Sequence, residues 1–100
     1  NRPTAVIAAS DQLACMVMVE ARTRGIKIPS ELSIIGYGDT CLAYPLLLTS
    51  VSQSTEYIGK AVVERLFARI KKPDMISDTI IIPTELIIRE SSAERKADDI

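Results

Sequence analysis

Two short apolar runs separated by a helical pattern constrain the fold of this chain more than any other feature. The runs lie at residues 4–9 and 32–35, and continuous apolar runs of this length are typical of strands buried on both faces of a parallel sheet. Between them, Ser10 or Asp11 can cap the start of a helix, and Gly25 suits its end. Apolar residues at three- and four-residue spacing form one face of this predicted helix, namely Leu13, Ala14, Val17, Met18 and Ala21.

This strand–helix–strand order predicts a ligand-binding edge. The crossover of such a unit is almost always right-handed, so its two strands lie parallel and their carboxyl ends meet at one edge of the sheet. Ser10 and Asp11 follow the first predicted strand, and the Gly-Tyr-Gly-Asp word at 36–39 follows the second. Open α/β sheets bind ligands at that edge, so we expect a small-molecule site there.

A second helix is predicted over residues 54–71. Ser54 can cap its start, and Glu56 lies in the first turn, where the helix dipole favours an anion. Apolar residues repeat every four positions along it, namely Ile58, Val62, Leu66 and Ile70. Lys71 and Lys72 suit the C-terminal end, and Pro73 stops the helix.

The remainder of the chain contains two further extended stretches. Residues 79–82 form a β-branched run that predicts a strand, and residues 86–88 predict another, which we expect to join the first sheet. Extended connections at 49–53 and 82–85 bracket the second helix, as in a chain that leaves one sheet and returns to it. Residues 90–100 are charged without periodicity, which predicts a frayed tail.

The composition limits the functions open to this chain. Its 100 residues suffice for one small domain, with 47% hydrophobic and 25% charged residues. A formal net charge of -1 gives no sign of the basic surface that DNA binding uses to neutralise phosphates. The longest apolar run, residues 13–19, is too short to span a membrane, and no signal-peptide pattern is present. Because the chain starts at Asn1 and enters a strand almost at once, we expect a piece of a longer protein.

Catalytic and metal chemistry are poorly supported by the residues. Cys15 and Cys41 have no CxxC spacing and the chain has no histidine, which is typical of two reduced thiols in a cytosolic protein. The Gly-Tyr-Gly word lacks the third glycine of a phosphate-cradling loop. Asp11 and Asp39 could form an acid–base or Mg²⁺ pair, but aspartate is common at helix starts and turns, so we favour capping roles. We therefore predict no enzyme, no cofactor and no metal.

Four sequence motifs together resemble those of a known protein family. They are Pro-Thr-Ala-Val-Ile-Ala-Ala-Ser-Asp at 3–11, Leu-Ser-Ile-Ile-Gly-Tyr-Gly-Asp at 32–39, Leu-Thr-Ser-Val-Ser-Gln at 48–53 and Pro-Thr-Glu-Leu-Ile-Ile-Arg-Glu-Ser at 83–91. In this order and spacing, the chain closely resembles the effector-binding core of the lactose-repressor/galactose-repressor (LacI/GalR) family of bacterial transcription regulators. The similarity covers nearly the whole chain.

The resemblance implies a fold and a division of the chain. The fold is α/β, a parallel-sheet, periplasmic-binding-protein-like (type I) core of two lobes with the effector in the cleft between them. Residues 1–92 would be the C-terminal part of that core, spanning parts of both lobes, and 93–100 a charged tail. Within it, 1–49 and 86–90 would belong to one lobe and 54–82 to the other.

The resemblance also implies site residues. It places the effector near Ser10, Asp11, Gly38, Asp39 and Gln53, with Asp11 acting indirectly if it only fixes the helix start. The family has an asparagine or similar residue where this chain has Ser10, and an aspartate where it has Gly38. Losing that carboxylate puts a typical hexose in question, because a carboxylate accepts paired hydrogen bonds from sugar hydroxyls. The site could take a phosphorylated or otherwise anionic ligand, or it could have lost effector binding.

The predicted partners follow from the same resemblance. The family's subunit interface maps to Tyr44, with Leu46 and Leu47 as neighbours. We predict a cytoplasmic homodimer that binds a sugar, a sugar phosphate or another metabolite, reaches operator DNA only through a domain outside this chain, and does not contact membranes. A secreted sugar-binding protein of a transporter has the same fold and is the alternative.

Overall fold

The structure, a computed structural model, describes residues 2–96 as one four-stranded sheet and two helices, of which only the first packs against the sheet. The described elements follow in the order β1 (Ala5–Ile7), α1 (Asp11–Thr23), β2 (Ser33–Gly38), β3 (Thr49–Ser52), α2 (Thr55–Lys71) and β4 (Glu85–Ile87). The spatial order of the strands is β1-β2-β3-β4. Residue 1 and residues 97–100, the end of the predicted tail, lie outside the described residues.

The sheet is mostly parallel, as the sequence predicts. β1 and β2 pair in parallel with Val6 opposite Ile34, and β2 and β3 pair in parallel with Gly38 opposite Ser52. β4 joins the same sheet, antiparallel to β3, with Ser52 opposite Glu85. The prediction that residues 86–88 return to the first sheet is therefore confirmed, one residue earlier than expected.

Helix α1 packs against the sheet and closes the core. Ser10 is its N-cap and accepts a hydrogen bond from the Leu13 amide at 3.2 Å, which satisfies one of the free donors at the helix start. Its inward side chains join residues of β2 and of the following loop. The buried hydrophobic core consists of Ala8, Ala14, Met18, Ala21, Leu32, Ile34, Ala43 and Leu48.

Helix α2 forms where the sequence predicts it, but none of its residues is buried. Its predicted cap is wrong: Ser54 has a left-handed backbone, with φ 51°, and its side chain makes no capping hydrogen bond. The free amides at the start of α2 are therefore not satisfied by a capping side chain at Ser54. The helix extends beyond the sheet, which agrees with overall dimensions of 59 × 26 × 19 Å.

The predicted strand at residues 79–82 is wrong. This stretch is extended, but it has no ladder partner among the described residues. The side chains of Ile80 and Ile81 are 49% and 88% exposed. A strand needs a neighbour to take its backbone hydrogen bonds, and the described chain provides no sheet beside α2.

The prediction of a frayed tail from residue 90 is wrong at its beginning. Ser91 is 2% exposed, and its hydroxyl donates to the Ile34 carbonyl oxygen and accepts from the Thr49 amide. Its backbone carbonyl accepts from the Ile34 amide at 2.8 Å. Because the serine bridges β2 and β3 where they begin, the chain after β4 is held to the sheet by polar contacts that a hydrophobic pattern does not indicate.

Candidate functional site

The structure brings the five predicted site residues to one edge of the sheet. Gly38 ends β2 opposite Ser52 of β3, and Gln53 directly follows that strand. Ser10 lies three residues after β1 and begins α1. The parallel pairing of the three strands puts all these positions at their carboxyl ends, which is the ligand-binding edge of open α/β sheets.

Asp11 organises this edge from inside. It is the first residue of α1 and is 0% exposed. One carboxylate oxygen accepts from the Ser50 hydroxyl at 2.6 Å, and the other accepts from the Thr40 amide at 2.6 Å and the Thr40 hydroxyl at 2.9 Å. The side chain therefore ties α1 to β3 and to the loop after β2. This burial favours the indirect role for Asp11, because its oxygens are already occupied by neighbouring residues.

Gly36 allows α1 to approach the sheet this closely. A Cβ at Gly36 would overlap the Asp11 carboxylate and lie 2.9 Å from Leu48 Cδ2. The absence of a side chain here thus makes room for the carboxylate itself. The sequence analysis treated Gly36 only as part of the Gly-Tyr-Gly-Asp motif. It did not predict that Gly36 makes room for Asp11, or that Ser50 and Thr40 donate to Asp11. In the sequence, these contacts are indicated only by an aspartate at a helix start and by hydroxyl residues in a later strand. That pattern does not indicate which hydroxyls reach the carboxylate.

Asp39 is also engaged within the protein. Its backbone is left-handed, with φ 48°, and its amide donates to the Ser50 hydroxyl at 3.0 Å. Its carboxylate lies 2.8 Å from Nη1 of Arg89, in a pair whose side chains are 24% and 14% exposed, respectively. The same arginine nitrogen donates to the Leu48 carbonyl at 2.7 Å, and the guanidinium lies 5.9 Å from the centroid of the Tyr44 ring. Sequence reasoning missed Arg89.

The groups left available at the edge are neutral. Ser10 is half-buried, and since its Oγ accepts from Leu13, its hydrogen is free to be donated. Gln53 is half-buried, and its side-chain amide makes no hydrogen bond within residues 2–96. Gly38 contributes only backbone, at φ 115°, a conformation that a side chain would strain. Such donors and acceptors suit a hydroxylated small molecule.

The chain shows no site for a metal ion within residues 2–96. No group of three or more acidic, cysteine or histidine side chains comes together there. Both cysteines of that part of the chain are free: Cys15 is half-buried and Cys41 is exposed. Neither α1 nor α2 is long and apolar enough to cross a membrane.

The predicted dimer residues lie on the loop between β2 and β3. Tyr44 is 74% exposed and Leu47 is 42% exposed. Leu46 is half-buried and packs against the hydrophobic core. Tyr44 and Leu47 therefore present an apolar surface to solvent, whereas Leu46 contributes mainly to the fold.

An open α/β sheet with hydrogen-bonding groups at the carboxyl ends of its strands is typical of small-molecule-binding proteins. Comparison with known proteins specifies the family. Residues 1–92 match the family model described as the periplasmic binding protein-like domain. The chain is 40% identical over 96 residues to the HTH-type transcriptional regulator DegA of Bacillus subtilis (strain 168), covering 93% of this chain and 28% of that protein. It thus spans little more than a quarter of the length of that relative.

Solved structures agree with this match. A LacI family transcriptional regulator from Enterococcus faecium with bound ribose is 28% identical, with a TM-score of 0.85, over 96% of this chain and 37% of that one. The lac repressor dimer bound to operator and the anti-inducer ONPF is 26% identical, with a TM-score of 0.81, over 92% and 32%. The chain belongs to the family of periplasmic binding protein-like domains, and its predicted resemblance to LacI/GalR regulators is confirmed.

Proposed function

We propose that this chain is the C-terminal part of the effector-binding core of a bacterial transcriptional regulator. One observation carries the proposal: Ser10, Gly38 and Gln53 come together at the carboxyl edge of a sheet whose fold matches a ribose-bound regulator at a TM-score of 0.85. The edge offers hydrogen-bonding groups and no catalytic constellation, so the chain binds its ligand and does not transform it. The similar proteins are named as regulators, which does not favour the secreted transport protein.

We infer that the chain contributes to two lobes. Residues 2–49 contain the whole buried core, and they share one sheet with residues 50–52 and 85–87, whereas 54–82 contribute α2 and an extended segment without a core of their own. Between α2 and that segment lies an apolar groove of about 550 Å³, lined among others by Ile58, Val62 and Leu66. A second lobe from the remainder of a longer polypeptide would cover this surface, since leaving such side chains exposed forfeits roughly 1.5–3 kcal/mol each.

The effector we propose is a sugar or a sugar phosphate held across the cleft between the lobes. Ser10 donates to it, Gln53 donates and accepts, and Gly38 allows close approach of the backbone. Asp11 and Asp39 position the edge through their own partners. A ligand that touches both lobes favours the closed arrangement by its higher affinity for that arrangement.

The closed arrangement acts on DNA through a dimer in this proposal. Tyr44 and Leu47 form part of the contact between two copies, because an exposed tyrosine beside leucine combines a large apolar area with a hydroxyl. A DNA-binding domain outside these 100 residues would read the operator, since the net charge of -1 gives no sign of the basic surface that DNA binding uses to neutralise phosphates. Such a regulator works in the cytoplasm, without a membrane partner.

Calorimetric titration of the longest natural polypeptide that carries this sequence tests the proposal. D-Ribose, D-glucose and D-ribose 5-phosphate are titrated into the unmodified protein and into Ser10→Ala and Gln53→Ala. Each substitution removes a hydrogen bond, so we expect about five- to tenfold weaker binding of the ligand that binds. Ser30→Ala, at an exposed serine in the turn before β2, is the matched control and leaves the affinity unchanged.

The outcome that contradicts the site is a ligand whose affinity neither edge substitution alters. Binding of none of these sugars would remove the effector class proposed here. The family assignment and the fold do not depend on either result.

A further inference from the structure

We propose that Arg89 is a positioning residue that couples the ligand edge to the dimer surface, an inference that rests on the proposed function of those two surfaces. Arg89 lies two residues after β4, on the chain that returns from α2. Its guanidinium lies between Asp39, which follows the ligand edge, and Tyr44, which belongs to the proposed contact between copies.

The contact with the ligand edge is direct and sheltered. Asp39 is the neighbour of Gly38 in sequence, and its carboxylate lies 2.8 Å from Nη1 of Arg89. The Arg89 side chain is 14% exposed, so water screens this pair less than it screens a surface ion pair. The Asp39 amide is fixed in turn by the Ser50 hydroxyl, which also donates to Asp11. A displacement of the edge loop therefore changes the distance between Asp39 and Arg89.

The contact with the dimer surface uses the face of the guanidinium. Arg89 lies over the Tyr44 ring at 5.9 Å from its centroid, within the range of a cation–π interaction. Its Nη1 also donates to the Leu48 carbonyl at 2.7 Å, which fixes the guanidinium beside the loop that carries Tyr44. A planar guanidinium can donate at its edge and stack on its face at the same time, whereas a lysine ammonium cannot reproduce this geometry.

The arrangement implies a route from ligand to dimer. An effector that shifts the loop at Gly38 loosens or tightens the Asp39 pair, and the guanidinium then changes its position over Tyr44. The backbone amide of Arg89 donates to Thr49 Oγ1 at 2.9 Å, so the arginine is anchored to β3 while its side chain responds. The ring of Tyr44 is 74% exposed and free to contact a second copy.

A mutant cycle on the dimer tests this coupling without a ligand. The dissociation constant of the dimer is measured by sedimentation for the longest natural polypeptide carrying this sequence, with and without Asp39→Asn, in an Arg89 and in an Arg89→Lys background. In the Arg89 background we expect Asp39→Asn to weaken the dimer by about fivefold or more, although Asp39 is not on the contact surface. In the Arg89→Lys background the same substitution has little effect.

A spectroscopic measurement separates coupling from loss of structure. Fluorotyrosine labelling gives signals for Tyr37, Tyr44 and Tyr57, which Tyr→Phe variants assign. Asp39→Asn moves the Tyr44 signal and leaves that of Tyr57 in place. Where Arg89→Lys does not fold, this measurement on the Arg89 protein alone decides the matter.

Ser91→Ala is the matched control for the cycle. Ser91 is a buried residue of the same segment, but its hydroxyl contacts Ile34 and Thr49 and touches neither Asp39 nor Tyr44. In that background Asp39→Asn keeps its full effect on the dimer. If Asp39→Asn weakens the dimer equally in the Arg89 and Arg89→Lys backgrounds, or if the Tyr44 signal does not move, the inference is overturned while effector binding is unaffected. A protein that is monomeric at all concentrations would overturn both the inference and the proposed dimer.

Discussion

Two helices of similar pattern have opposite surroundings in this molecule. α1 buries Asp11, Ala14, Met18 and Ala21 against the sheet, whereas α2, although longer, buries no residue within the described chain. On α2 even Phe67 and Ile70 are 58% and 62% exposed. Both helices have an apolar stripe, so the stripe itself does not decide burial. Burial depends on which elements lie beside the helix, and within residues 2–96 only α1 packs against the sheet.

The polar contacts divide in the same way. Around α1, a buried carboxylate accepts from hydroxyl and amide donors of β3 and of the loop after β2. Beside α2, the described contacts are exposed pairs, such as Arg65 with Asp78 and Arg69 with Ser77. The first region is therefore a packed unit with internal polar links, and the second is a helix whose apolar side chains are exposed within residues 2–96. Substitutions matched between the regions test this difference.

The largest expected effect is that of Asp11→Ala. Removing the carboxylate leaves the buried Ser50 hydroxyl without its acceptor and frees the loop at Thr40 from α1. We expect the free energy of unfolding to fall by about 2–4 kcal/mol, because buried polar groups lose partners. The matched change at the start of α2, Glu56→Ala, costs about 0.3–1 kcal/mol from the helix dipole. Urea denaturation of both variants measures the contrast, and equal losses would contradict it.

Replacing a glycine by alanine should have opposite effects on stability in the two regions. Gly36→Ala forces the Asp11 carboxylate and Leu48 to move, so we expect a loss of about 1–3 kcal/mol from overpacking. Gly59 lies within α2 with nothing within 4 Å of a built Cβ, so Gly59→Ala should add about 0.5–1 kcal/mol of helix stability. Thermal unfolding monitored by circular dichroism distinguishes the two. A stabilising Gly36→Ala would show that α1 does not approach β2 as closely as described.

The smallest contrast concerns the ion pairs. The pair between Arg65 and Asp78 has side chains that are 35% and 58% exposed, so Asp78→Asn should change stability by less than about 1 kcal/mol. The more sheltered Asp39 forms an ion pair with Arg89, and we expect Asp39→Asn to cost about 1.5–3 kcal/mol, because the guanidinium loses its counter-charge in a sheltered place. Raising the salt concentration should reduce the first effect more than the second. The reverse order of salt sensitivity would count against the burial of the Arg89 pair.

Local patterns predicted the elements of the fold well. The apolar runs, the two helices and the return of the chain to the first sheet all depend on periodicity and on helix-ending residues such as Gly25 and Pro73. The strand predicted at residues 79–82 failed, because β-branched residues make a strand only where a neighbouring strand accepts their backbone hydrogen bonds. Pattern thus predicts local conformation, and pairing requires the complete sheet.

The contacts within the site were less predictable than its location. Strand ends predicted the edge and the positions of Ser10 and Gly38, since parallel strands share one direction, whereas Gln53 was implied by the family resemblance. The Asp11 carboxylate, by contrast, finds the Ser50 hydroxyl 39 residues further along the chain. Arg89 and Ser91 lie in or beside a stretch that reads as a charged tail, and their partners, such as the Leu48 and Ile34 carbonyls, are distant in the sequence. Such long-range polar pairs leave no periodic trace in the sequence.

Amide hydrogen exchange tests the central claim, that the chain holds one complete region and one that awaits a partner. The exchange of α1 and α2 is compared in the 100-residue chain and in the longest natural polypeptide that contains it. We expect slow exchange for α1 amides such as that of Met18 in both proteins, and slow exchange for α2 amides such as that of Leu66 only in the longer one. Equal protection of α1 and α2 in the 100-residue chain, or an unprotected α2 in the longer protein, would contradict it.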